Sequence, residues 1–316
     1  MHSGQGHRSV SGARVERRRA TRARRFAALA GVGMLVGWAS PLGAQVPSSV
    51  PSTLGGSPLV LQLRPRPGDL LRLRLDQTIE MGVSERGAED STAADVTSLV
   101  MLARLSVESS DASGATMLAV ADSVRIEDNG GFQSDVLRQA RALQGQRFRF
   151  RVAPDGSTTV AGTDAWAGPA VGSLLSQLPA TLPADSIAPG ATWNRSVDIP
   201  LAAAPDGRAN ATLTATFRFD SLSRSGEYAF ISMKGRLVRS GPMQGGGGAG
   251  KTASPGEGGF VQTSGNVTAT LLLDRRRGWI AEARTVISLR SLVTGRGKDT
   301  PPLRVRMKIT QWMRVM

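Results

Sequence analysis

The sequence predicts a mainly β protein: a large curved antiparallel sheet or incomplete barrel, with signs of two similar halves and with two short helices. Three observations carry this prediction. Apolar and polar residues alternate with period two over many long stretches. That alternation leaves one face of the sheet wet, whereas a parallel sheet covered by helices reads as near-continuous apolar runs. Similar strand–turn–strand blocks also return at near-constant spacing.

The strands follow in order. In "LLRLRLDQTIEMGV", Leu71, Leu73, Leu75, Ile79, Met81 and Val83 share one face, while Arg72, Arg74, Asp76, Thr78 and Glu80 share the other. The same rhythm returns at Leu99–Val107 and in "RFRFRV", where Phe148, Phe150 and Val152 point inward. It recurs in Leu213, Ala215, Phe217 and Phe219, in Val267, Ala269, Leu271 and Leu273, and in Leu303, Val305, Met307 and Ile309. Two segments break it. Ser134 to Gly145 sets Val136, Leu137, Ala140 and Leu143 at helical spacing, and Gly168 to Pro179 groups Ala170, Val171, Leu174, Leu175 and Leu178. Both read as short helices that plug one end of the sheet, with a lid over a cavity as the functional alternative.

The repeats pair "RPGDLLRLRL" with "APGATWNRSV", the Ala103–Val120 block with the Ala215–Ile231 block, and "RVAPDGSTTV" with "LLLDRRRGWI". Pro67 to Pro189 and Gly156 to Gly278 are each 122 residues apart, and Gly114 to Gly226 is 112. The expected organisation is a signal peptide over residues 1–44, a flexible Pro/Ser/Gly leader over 45–58, and a β-rich domain over 59–316. Within that domain the halves are 59–162 and 187–316, joined by a helical connector at 163–186.

The expected signal peptide rests on eight arginines among residues 1–25, the apolar run "FAALAGVGMLVGW", and small residues up to Ala44. Cleavage after Ala44 implies a periplasmic or secreted protein. It would remove eight of the 39 basic and one of the 25 acidic residues, leaving 31 against 24, a net +7. So mild a charge does not identify a nucleic-acid binder. The chain has no cysteine, and its two histidines, His2 and His7, fall inside the signal peptide. Disulfides, Cys/His metal sites and histidine-based triads are thereby excluded from the remainder, and neither metal nor cofactor is expected.

"GGGGAGKT", Gly245–Thr252, fits the phosphate-loop pattern letter for letter. A working phosphate loop follows a strand and opens a helix at its lysine. Here "ASPGEGGF" follows, and its prolines and glycines forbid that helix. The segment reads as a linker between two strands, and no nucleotide is expected. "LLLDRRRGWI" reads as a hairpin opened by Asp274, with Gly278 at positive φ.

Two binding readings and one catalytic reading follow. An apolar or amphiphilic ligand, such as a lipid, would sit against inward-facing Phe148, Phe150, Phe217, Phe219, Leu273 and Trp279, although a cavity lining and an ordinary core look identical in sequence. An anionic envelope surface would meet the wet-face stripe of Arg72, Arg74, Arg147, Arg149, Arg151, Arg304, Arg306 and Lys308, whose bland alternative is protection of sheet edges. A carboxylate-based glycan hydrolase would draw on Asp122, Glu127, Asp198 and Asp220. The expectation is a non-enzymatic binding protein.

The Pro189–Trp193 step, the alternating strands after it and the Asp274–Gly278 hairpin carry a resemblance. The chain resembles a loose group of exported bacterial proteins of unknown function, and its layout is similar to lipoprotein carriers of the LolA and LolB type. The resemblance implies a half-closed antiparallel sheet around a greasy cavity, and it carries over no catalytic residue. The chain departs from the LolB type in lacking a cysteine to lipidate.

Overall fold

A computed structural model describes residues 57–85, 94–128, 141–160, 181–200, 210–243, 259–294 and 302–316. Eleven strands form one antiparallel sheet. They are β1 (Leu70–Glu85), β2 (Asp95–Asp111), β3 (Gly114–Asp128), β4 (Arg147–Val152), β5 (Thr158–Val160), β6 (Thr192–Pro200), β7 (Asn210–Leu222), β8 (Tyr228–Met243), β9 (Gly259–Asp274), β10 (Trp279–Thr294) and β11 (Leu303–Val315). Their order is β5-β4-β3-β2-β1-β11-β10-β9-β8-β7-β6, so the sheet does not close on itself. No helical element stands among the described residues. Of the helix expected over 134–145, the described part is Arg141, in helical conformation, and the turn at residues 142–145, with Gly145 at φ 79°. The rest of it, and the whole helix expected over 168–179, lie outside the described residues.

The predicted alternation sets the register. Leu71, Ile79 and Met81 on β1 face the same side as Leu105 and Leu99 on β2 and Met307 and Ile309 on β11. That core face joins one cluster running from Phe150 on β4 to Trp193 on β6, the two flanks of the sheet. On β8 and β9, Gly235 and Gly265 lie on it. A Cβ at Gly235 would crowd Leu213, and one at Gly265 would run into the Ser288–Leu289 backbone. Glycine there lets neighbouring strands approach and the sheet bend.

Two extended straps cross the end of the sheet where β1 begins. Residues 57–66 carry Leu61 and Leu63, and residues 181–188 carry Leu182; all three are buried in the core cluster. The straps meet at a bridge between Leu59 and Ile187. The Leu63 N–H donates to the Pro154 carbonyl, and the Arg64 N–H to the Gly278 carbonyl. The Thr181 and Leu182 N–H groups both donate to the Asp155 carbonyl in the β4–β5 turn. In turn, Trp193 Nε1 donates to the Thr181 carbonyl (3.1 Å) and Arg195 Nη2 to the Leu182 carbonyl (2.7 Å). A two-residue segment thus touches both flanks of the sheet.

The spacings noted in the sequence coincide with matching hydrogen bonds. The Gly68 N–H donates to the Val107 carbonyl at 2.9 Å, and the Gly190 N–H to the Phe219 carbonyl at 2.6 Å. The Val107 N–H returns a bond to Asp69, as the Phe219 N–H does to Ala191. Both Gly68 (φ 85°) and Gly190 (φ 88°) are left-handed. β-Bulges follow each pair, at Val107/Ser109 and at Phe219/Ser221.

Candidate functional site

The core face is not uniformly covered. Leu71 and Leu105 near the straps are buried, and so are Gln77, Ile79, Met81 and Leu99 farther along. Between these bands the core face is only partly covered, a candidate hollow. Leu73 and Leu75 on β1, Met101 and Ala103 on β2, Met313 on β11 and Ala283 on β10 are only half-buried, although they point to the core side. An inward-facing apolar wall that still meets solvent is the feature a small apolar ligand uses.

One step along β1 from Leu75 stands Gln77, 2% exposed. Its Nε2 and Oε1 are both buried, and neither finds a hydrogen-bond partner among the described residues. Beside it across the ladder are Gln311 on β11, half-buried, and then Thr285 on β10, buried. Three hydrogen-bonding side chains therefore form a belt over the Leu75–Met313–Ala283 row. The row beyond is Ile79, Ile309 and Ile287. An orphaned buried amide is rare, because it forfeits the solvation of both its donor and its acceptor.

The side chains singled out in the sequence fall elsewhere. Phe150, Phe217, Phe219, Leu273 and Trp279 belong to the buried cluster, and Phe148 is half-buried. Phe217 stacks on Trp193 with ring centroids 5.5 Å apart. The hollow was missed because its leucines and methionines alternate like any core residue. The one legible signal was the polar residue at 77 inside an otherwise apolar inward series.

The basic stripe lies on the outer face, and at least four of its eight members stand in ion pairs. Arg74 pairs with Asp76 (2.7 Å), Arg149 with Glu108 (2.8 Å), Arg151 with Asp111, and Lys308 with Glu80 (2.9 Å). Hydrogen bonds from the Ser113 hydroxyl, from Arg151 and from the Ser113 N–H hold the Asp111 carboxyl down at about 2. The Arg149 guanidinium likewise lowers Glu108. Trp312 is held between Arg284 and Arg314, 4.7 and 4.0 Å from its ring centre, and donates to Glu282. A shallow outer groove of about 340 Å³ is lined in part by Glu80, Ser288, Arg290, Arg306 and Lys308. Within it Arg290 stands directly opposite Arg306.

The four carboxylates considered for catalysis are not gathered. Asp122 on β3 pairs with Arg104, and exposed Glu127 lies farther along the same strand. Asp220 on β7 accepts from Ser232, and six strands stand between β7 and β3 in the sheet order. The side chain of Asp198, on β6, lies outside the described residues. Among the described residues no three His, Cys, Asp or Glu side chains are grouped to hold a metal ion.

"GGGGAGKT" also lies outside the described residues, but its flanks do not. β8 and β9 pair antiparallel from Tyr228↔Asp274 to Met243↔Gly259, so the segment joins the two strands of a hairpin. Asp274 Oδ1 accepts from the Arg276 and Arg277 N–H groups, with Gly278 at φ 62°, which is the expected turn. No protein-family model matches the chain, and no curated protein matches its sequence.

Proposed function

We propose that this is an exported, non-enzymatic binding protein that holds an apolar or amphiphilic ligand against the core face of its sheet. The observation that carries the reading is the half-buried apolar row of Leu75, Met101 and Met313, lying between buried Leu71 and buried Ile79 on the core face. The proposed shape is an incomplete barrel of two related halves. The paired Gly68/Gly190 hydrogen bonds and the straps that tie its flanks support it. The arginine-rich, apolar, small-residue order of residues 1–44 supports export to the periplasm or beyond.

The test is extraction. Protein purified without detergent from its native envelope or medium is expected to release a stoichiometric amphiphile into organic solvent, identified by mass spectrometry. A Leu75→Trp variant that fills the hollow should fold and release none. Loss-free recovery of ligand from that variant, or an empty wild-type protein that takes up no amphiphile, would overturn the reading.

A second reading, contact with an anionic surface through the outer face, is favoured by one feature. Arg290 and Arg306 stand directly opposite each other within the outer groove, which concentrates positive charge on one patch of the outer face. Salt-sensitive retention on anionic vesicles, weakened in Arg290→Gln, would support it. Retention indifferent to salt and to that substitution would dismiss it.

A further inference from the structure

We infer that the ligand of the hollow carries an uncharged group with both a hydrogen-bond donor and an acceptor, an amide on an acyl chain, and that Gln77 reads it. The inference rests on the binding reading above and specifies the chemistry of the same site. It begins from the orphaned carboxamide. Gln77 offers one acceptor and two donor hydrogens, buried to 2% exposure, with no partner for either end among the described residues. An amide presents the complementary pair, since its carbonyl accepts from Nε2 and its N–H donates to Oε1.

The neighbours exclude a charged group. The side chains flanking Gln77 on the core face are Leu75, Ile79, Leu99 and Gln311, none of them ionisable. Ionisable core-face residues lie farther off: Asp95 opposite Met81 at the start of β2, Asp128 toward the far end of β3, accepting from Thr97, Arg239 opposite Thr263, and Arg195 on β6, donating to Leu182. A carboxylate or phosphate at Gln77 would be buried without a counter-charge, which is prohibitive. Beyond the belt Ile79 and Ile309 are already buried, so the hydrocarbon has room on one side only. An amide at the end of a chain satisfies that, with the hydrocarbon along Leu73, Leu75 and Met313.

Three twelve-carbon probes separate the terms: dodecane, dodecanamide and dodecanoate, titrated near neutral pH into delipidated full-length protein and followed by calorimetry. Dodecanamide is expected to bind at least about tenfold more tightly than dodecane, a margin of one good hydrogen bond to a buried group. Dodecanoate should bind more weakly than the amide. Gln77→Leu should erase the amide's advantage over dodecane, with Gln77→Met as the alternative if the leucine variant does not fold. Equal binding of all three probes, as when a lone water satisfies Gln77, would overturn the inference and leave the apolar-ligand reading standing. Preference for dodecanoate would also overturn it. Binding of no probe would remove both.

Discussion

At the residue scale, period-two alternation converts directly into energies. Phe217 is 3% exposed and stacked on Trp193, so Phe217→Ala removes a buried ring and should lower stability by about 3–5 kcal/mol in urea melts. Thr216 is exposed, and Thr216→Lys should change stability within about 0.5 kcal/mol. Equal losses at the two sites would contradict the assigned faces. Acid offers a second measurement. Asp111 titrates near 2 in the folded protein against an ordinary 3.8, so its contribution is intact above about pH 4 and disappears as pH falls toward 2. Asp111→Asn should therefore flatten the stability–pH curve between those values. An unaltered curve would mean that the Ser113 and Arg151 contacts do not persist in solution. The sequence made the faces legible because a pleated strand leaves no freedom in which side chains share a side. It did not make the hollow legible: whether Leu75 is covered depends on what the sheet meets across its core face, and local pattern carries none of that.

At the level of elements, the turns were readable and the straps were not. Pro-Gly before β1 and β6, and Asp with Gly in the β9–β10 turn, have local chemistry that fixes them. The straps are short apolar runs without period, which only contacts with distant turns hold extended. Their weight is measurable by comparing glycines. A Cβ at Gly68 (φ 85°) meets nothing within 4 Å, so Gly68→Ala should cost only the left-handed penalty of about 1–2 kcal/mol. A Cβ at Gly278 (φ 62°) would press on the Arg64 backbone, so Gly278→Ala must also displace the strap and should cost clearly more. Equal melting shifts for the two variants would refute a structural role for the 57–66 strap.

Over the whole molecule, the loops and the sheet's centre make opposite demands. β8 and β9 pair right up to Met243↔Gly259, so the glycine-rich segment need only close a hairpin. Doubling its length should cost about 0.6 kcal/mol, and Lys251→Ala should alter neither stability nor nucleotide affinity. Saturable ATP binding lost in that variant would revive the phosphate loop. The centre is less forgiving: β11 lies between β1 and β10, pairing with both, and the Met316 N–H donates to the Arg72 carbonyl. A chain ending at residue 302 should lose cooperative unfolding in circular dichroism, because two inner strands become edges and Met307 and Ile309 leave the core. The same arrangement dictates when the protein can fold. Thr78 waits for Thr310, its register partner on the final strand, so the seam of the sheet joins residues more than two hundred positions apart. Contacts of such range are slow to form. On the ribosome, β1 can pair with β2 early but gains its second neighbour only once β11 has been made, and until then that edge of the first half stands open to any neighbour.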